Sequence, residues 1–278
     1  MELIRNFAPG SRWLYCKIYT GVKTADIILE DVIQPLVSAL QDNHHIRKWF
    51  FIRYSDPKNH IRIRFELTDS TKNDEVLARI NDSLEHYMNS GEISNVVFET
   101  YHREIERYGE KTMEPAEDLF YKNSEFTLNC IQFDDEDKII TSLFYIDEFL
   151  NAINLPIDEK LIWIKESNES FKKEFNADKH LNAQLDKKYR LFKPKYLEFL
   201  KSDDYADFRD NIALNIGECK KTLEKINELH EGSVQNFFQS IFHMNINRLF
   251  VSNQRLFEMI VYDYLYRYYK TLFFQKNR

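Results

Sequence analysis

The stretch Phe50-Phe51-Ile52-Arg53-Tyr54-Ser55-Asp56-Pro57-Lys58-Asn59-His60-Ile61-Arg62-Ile63-Arg64-Phe65-Glu66-Leu67 decides how this chain reads. From Ile61 to Leu67 apolar and polar residues alternate, the period-two signature of a strand with one buried face. Ile61, Ile63, Phe65 and Leu67 share one face, and His60, Arg62, Arg64 and Glu66 share the other. The loop 55–59 carries Asp56-Pro57, a turn starter, so 49–54 and 60–67 are expected to pair as two strands. Two guanidiniums at i and i+2 on one face repel each other unless an anion lies between or above them. The planar fork of arginine matches a carboxylate, so the face reads as a cradle for a carboxylate or oxyanion. The other reading is an exposed strand face with ordinary solvated charges.

Outward from this pair, residues 12–20 alternate again, with Trp13, Tyr15, Lys17 and Tyr19 on one face and Leu14, Cys16 and Ile18 on the other. Thr24 can cap a helix carrying Ile27, Ile28, Val32, Leu36 and Leu40, with a kink or break expected at Pro35. A helix at 73–89 and a strand at 95–103 follow. Beyond residue 114 no strand is expected. Pro115 suits a first helical turn, and 115–131, 136–152, 158–176, 181–200, 205–229 and 233–274 all carry apolar residues at helical spacing. The expected class is α+β, one unit over 1–278, with a mixed β/α part at 1–112 and a mostly helical part at 113–278.

With 278 residues, 43% of them hydrophobic, the chain can bury a large core, and only 6 Gly and 6 Pro favour long helices over a turn-rich all-β fold. A net charge of −7 supplies no basic excess for general nucleic-acid binding. Cys16, Cys130 and Cys219 are odd in number and widely spaced, which suits buried thiols in a reducing compartment. Neither a signal peptide nor a run of 18 apolar residues occurs, so a soluble cytoplasmic protein without membrane insertion is expected. Walker loop, dinucleotide fingerprint, nucleophile elbow and His-Glu-x-x-His helix are all missing, and His44-His45 lacks a third ligand at sensible spacing. Nothing calls for a metal or an organic cofactor.

Two further motifs stand out. Glu99-Thr100-Tyr101-His102-Arg103-Glu104-Ile105-Glu106-Arg107-Tyr108-Gly109 closes a strand at a turn, where Glu104 could orient Arg107; it also reads as a surface cluster of alternating charge. Asn236, Ser240, His243 and Asn247 form one polar stripe on a helix that is apolar on most sides, which suggests a buried helix whose stripe is hydrogen-bonded or lies along a cavity. His243 is the member that can exchange a proton near neutral pH, and a hydrogen-bonded core histidine is the alternative.

Taken together the motifs resemble the C-terminal elimination domain of class I lantibiotic dehydratases, a region that also names thiopeptide-type bacteriocin biosynthesis proteins. The resemblance rests on Trp13-Leu14-Tyr15-Cys16-Lys17-Ile18-Tyr19 after Pro9-Gly10, on 51–57 with His60-Ile61-Arg62-Ile63-Arg64, and on Glu104-Ile105-Glu106-Arg107-Tyr108-Gly109. Ala116-Glu117-Asp118-Leu119-Phe120, Ser240-Ile241-Phe242-His243 and Asn247-Arg248-Leu249 follow in the same order. In that family a separate glutamyl-tRNA-dependent domain esterifies Ser and Thr of a precursor peptide, and the elimination domain expels glutamate to leave dehydroalanine or dehydrobutyrine. The resemblance implies catalytic roles for Arg64, Arg107 and His243, with Arg62 and Glu104 in the same site; His60 and Asn247 are read as further substrate contacts. Asn245 and Glu110 depart from the family pattern, which has a histidine and a glycine there, and these departures bear on substrate fit.

Because Met1 stands just before the first expected strand, the chain resembles a free-standing elimination protein of a split dehydratase. Its implied partners are the glutamylated precursor peptide and a separate glutamylating protein; a cyclase and a second copy of the chain are compatible with it. Two alternatives remain: a thiopeptide pyridine synthase, joining two dehydroamino acids by formal cycloaddition, and a non-catalytic precursor-binding subunit.

Overall fold

The computed structural model describes residues 3–276. These form two compact units, one of residues up to Gln132 with Lys225–Ser252, the other of Phe133–Glu224 with the chain from Asn253 onward. The first unit holds a four-stranded antiparallel sheet in the order β3-β4-β2-β5, built from β2 (Trp13–Thr20), β3 (Ile46–Tyr54), β4 (His60–Leu67) and β5 (Ile93–Glu99). A second, two-stranded sheet pairs β1 (Asn6–Phe7) with β6 (Tyr101–His102). The strand expected at 95–103 is thus interrupted at Thr100, and β6 leaves the main sheet for a partner too short to show any alternation.

The alternation in β4 sorts the two faces as expected. Ile61, Ile63, Phe65 and Leu67 join Leu14, Cys16, Ile18, Trp49 and Phe51 in the core. The helices of residues 24–42 and α3 (Asn73–Asn89) cover this face with Ile28, Leu29, Val32, Leu36, Val76 and Ile80. The first of these segments runs as α1 (Thr24–Ile27), a π-helical stretch Ile28–Ile33 and α2 (Gln34–Asp42). Pro35 therefore sits in the first turn of α2, where a missing N–H costs nothing. The irregularity falls upstream, where the Gln34 N–H reaches back five residues to the Leu29 carbonyl.

α4 (Ile105–Tyr108), α5 (Met113–Leu128) and α11 (Val234–Leu249) complete this unit. α5 and α11 pack on β3 and close its outer edge with side chains. The Phe51 N–H donates to Ser124 Oγ at 3.2 Å, and Arg248 Nε donates to the Phe51 carbonyl at 2.7 Å. Asn247 accepts from the Arg53 N–H at 2.9 Å and donates to its carbonyl at 3.0 Å, as a neighbouring strand would. An edge strand left open would template association with another chain.

The second unit contains α6 (Asp135–Ala152), α7 (Ile157–Glu174), α8 (Lys179–Lys201), α9 (Ala206–Glu218) and α12 (Gln254–Lys276), with α10 (Lys220–Leu229) at its boundary. α12 packs on α7, α6 and α8. Buried Asp263 is held by Lys172 and Arg267, each at 2.7 Å, and Asp147 accepts from Lys160 and from the Tyr269 hydroxyl, also at 2.7 Å. The segments expected as single helices at 205–229 and 233–274 each break in two, at Cys219 and at 250–253, where Asn253 adopts φ +54°. A helical period persists across a break whenever both pieces bury one side, so spacing alone misses it.

Candidate active site

The polar face of the sheet is a grid fixed by register. Arg64 stands opposite Phe50 on one side and Tyr15 on the other; Arg62 stands between Ile52 and Lys17, and His60 between Tyr54 and Tyr19. Across β2, Tyr15 pairs with Glu99 and Lys17 with Val97. Each position follows from alternation in two strands joined antiparallel, so side chains three strands apart share one surface.

Arg64 is held by aromatic rings. Its guanidinium carbon lies 4.4 Å from the Tyr15 ring centroid, 5.0 Å from that of Tyr101 and 5.1 Å from that of Phe50. Such cation–π contacts fix the group without using its N–H donors, and Arg64 Nε is buried without a hydrogen-bond partner. Arg64 lines a small cavity of about 40 Å³ together with Phe50, Tyr101, Glu104, Met244 and Arg248. A half-buried guanidinium with an unused donor, beside a cavity, is a ready site for an oxyanion.

Behind this cage lies an ion pair. Arg103 donates from Nε and Nη2 to the two oxygens of Glu117 at 2.8 and 2.6 Å, and the Tyr101 hydroxyl donates to Glu117 Oε1 at 2.9 Å. Glu117 is 0% exposed. Burial drives the Tyr101 phenol well above its ordinary range, and the neighbouring Glu117 charge adds to this, so it stays a donor. Arg103, expected within a surface charge cluster, is therefore a buried residue that orients one wall of the Arg64 cage.

The remaining expected residues occupy distinct places. Arg62 lies flat on Tyr54, 3.4 Å from the ring centroid, and donates from Nε to His60 Nε2 at 3.0 Å. His60 Nδ1 bonds the Lys58 carbonyl at 2.8 Å; with both nitrogens so engaged the ring is neutral, and burial and nearby Arg62 and Lys17 lower its pKa. Glu104 lines the cavity and pairs with Arg107 Nη1 at 3.0 Å, at an exposed turn ending in Gly109. Burial, with the Glu104 charge next, pushes the adjacent Tyr108 phenol up to about 12.

His243 is half-buried on α11, beside the cavity-lining Met244 but not itself among the lining residues. The stripe expected to be buried is partly exposed. The fully buried polar groups of α11 are Asn245 and Arg248, which meet Asn123 of α5 at 2.7 and 2.8 Å. The amide of Asn247 is taken up by the Arg53 backbone. Arg64, Arg107 and His243 all belong to the sheet-bearing unit, although 179 positions separate the first from the last. Tyr15, Phe50 and Tyr101 are not among the residues expected at the site from sequence; the pairing of 12–20 with 60–67, which sets Tyr15 opposite Arg64, is the signal that points to Tyr15.

Among the described residues no group of three or more His, Cys, Asp and Glu could hold a metal ion, and no helix is long and apolar enough to cross a membrane. The sequence profile of the family described as lantibiotic biosynthesis dehydratase C-term matches residues 13–269. The subtilin biosynthesis protein SpaB of Bacillus subtilis is 27% identical over 274 residues, covering 89% of this chain and 24% of its own length. The nisin biosynthesis protein NisB of Lactococcus lactis subsp. lactis is 26% identical over 284 residues, 95% of this chain and 26% of its own. The chain thus spans about a quarter of these relatives. Among solved structures, the tRNA-dependent lantibiotic dehydratase MibB from Microbispora sp. 107891 superposes with a TM-score of 0.73 at 20% identity, over 98% of this chain and 29% of MibB. The pyridine synthase TbtD from thiomuracin biosynthesis superposes with a TM-score of 0.60 at 12% identity, over 94% of this chain and 100% of TbtD. At those identities the two structures speak for the fold alone. A profile match over nearly the whole chain settles the family: this protein belongs to the lantibiotic biosynthesis dehydratase C-terminal family.

Proposed function

We propose that this protein eliminates glutamate from glutamylated Ser or Thr of a ribosomally made precursor peptide, leaving dehydroalanine or dehydrobutyrine. Arg64 carries the reading. Its guanidinium lies within about 5 Å of three ring centroids with a buried Nε unspent, beside a cavity shared with Glu104, and an expelled carboxylate is the anion it suits. In the elimination a base removes the Cα proton and the electron pair passes through an enolate to form Cα=Cβ. The Cβ–O bond then breaks and glutamate departs as a carboxylate. An imidazole exchanges protons near neutral pH, so His243 takes the acid–base role. Arg64 holds the departing carboxylate. Arg107, oriented by Glu104, supplies a second cation for the enolate oxygen or carboxylate. Arg62 and His60 extend the substrate surface. The peptide and a separate glutamylating protein are the partners of this reading.

Incubating the protein with a synthetic peptide bearing a glutamyl-serine ester, followed by mass spectrometry, tests it. Release of glutamate and formation of the dehydro product are expected. Arg64→Lys and Arg107→Ala should slow the reaction by about 100–1000-fold, the usual cost of one electrostatic group. His243→Ala should lose about 100–10,000-fold. An intact ester with two dehydroalanines joined into a ring instead would support a pyridine synthase, and tight binding without conversion a binding subunit.

A further inference from the structure

We infer that Lys17 and Glu99 read the free carboxylate and the ammonium of the departing glutamyl group, and so select glutamyl esters over other acyl esters. The inference rests on the elimination reading and gives roles to two residues that stand within the quoted motifs but receive none from them.

Register places Glu99 in the row Arg64–Tyr15–Glu99, and Lys17 in the next row beside Arg62. Paired Cα atoms in antiparallel strands lie about 4.5–5.5 Å apart, so the first row spans roughly 10 Å from Arg64 to Glu99. Lys17 Nζ meets Glu99 Oε2 at 2.6 Å, with Lys17 14% and Glu99 43% exposed. The Arg64 guanidinium carbon lies 4.4 Å and Lys17 Nζ 5.8 Å from the Tyr15 ring centroid, while Arg62 stands opposite Lys17 and Glu99 opposite Tyr15, so the four charges surround this one side chain. Three cations against one anion leave these four groups at +2.

A glutamyl ester linked through its α-carboxyl carries one ammonium and one distal carboxylate a few ångströms apart, with no net charge. A half-buried ion pair of opposite polarity is its complement. The ammonium takes Glu99 and the carboxylate takes Lys17, while the ester itself points along the row toward Arg64. Elimination converts a neutral acyl group into glutamate with a net charge of −1, and a cluster at +2 holds that product better than the ester. The same arrangement therefore favours expulsion as well as selection.

The test compares three serine esters on one synthetic peptide: α-linked glutamyl, glutaryl (no ammonium) and 2-aminobutyryl (no distal carboxylate). Wild-type protein should eliminate glutamyl about 10–100-fold faster than either analogue, the range of one charge-assisted hydrogen bond. Glu99→Gln should abolish the preference over glutaryl and keep that over 2-aminobutyryl; Lys17→Met should do the reverse. The double variant Lys17→Glu with Glu99→Lys retains an ion pair between β2 and β5, and loss of its glutamyl preference is expected. If the single variants slow all three esters equally, or the double variant keeps the preference, the pair only ties two strands together and the inference falls while the elimination reading stands. If wild-type protein leaves every ester intact, the elimination reading itself falls and takes the inference with it.

Discussion

Replacing Asn247 by leucine removes the clasp between α11 and the edge of β3 while nearly conserving side-chain volume. The amide of Asn247 makes two hydrogen bonds to the Arg53 backbone, at 2.9 and 3.0 Å, in a partly buried setting. Each neutral bond contributes about 0.5–1.5 kcal/mol, so the substitution should cost about 2 kcal/mol. With a urea slope of about 2 kcal/mol/M the unfolding midpoint of the sheet-bearing unit would fall by about 1 M. Amide hydrogen exchange reads the same bond locally: about 2 kcal/mol corresponds to roughly 30-fold faster exchange at Arg53. The N–H of Phe51, which donates to Ser124, serves as an internal reference. Unchanged exchange at Arg53, with an unchanged midpoint, would refute the view that the helix acts as a neighbouring strand.

Burial above all lowers the pKa of His60 from its ordinary 6.5, so between that value and the depressed one the unfolded chain binds a proton that the folded chain does not. Stability should rise with pH across this window and fall on acidification, and urea midpoints of His60→Gln should be flatter there than those of wild type. Gly109 combines φ +76° with ψ 150°, and a Cβ there would stand 2.8 Å from Thr112 Oγ1. Gly109→Ala should cost about 1–3 kcal/mol in urea unfolding, and a midpoint equal to wild type would contradict it. Glu117→Ala leaves the buried Arg103 guanidinium with the more distant, half-exposed Glu114 carboxylate at 3.5 Å and should cost about 3 kcal/mol. Circular dichroism melts would check it, an undiminished melting temperature being the contrary result.

What the chain announces by itself is whatever repeats along an element. Alternation in 60–67 and 12–20 separates core face from polar face because successive side chains in a strand point to opposite sides. The cationic face of Arg62 and Arg64 was therefore legible before any fold was known, as was the pairing of Glu104 with Arg107 three residues on. Pairings between distant elements leave no such trace. Arg103 looks like one more surface charge until α5 brings Glu117 to it. The cage around Arg64 needs Tyr15, Phe50 and Tyr101 from three strands, one of which departs to pair with two residues near the start of the chain. The α11 stripe promised a buried line of polar groups, yet the buried ones are Asn245 and Arg248, on the side that meets α5 and β3. Periodicity records how often a side is buried, whereas the cost of burying a charge is settled by the partner it meets, and only the tertiary structure brings that partner within reach.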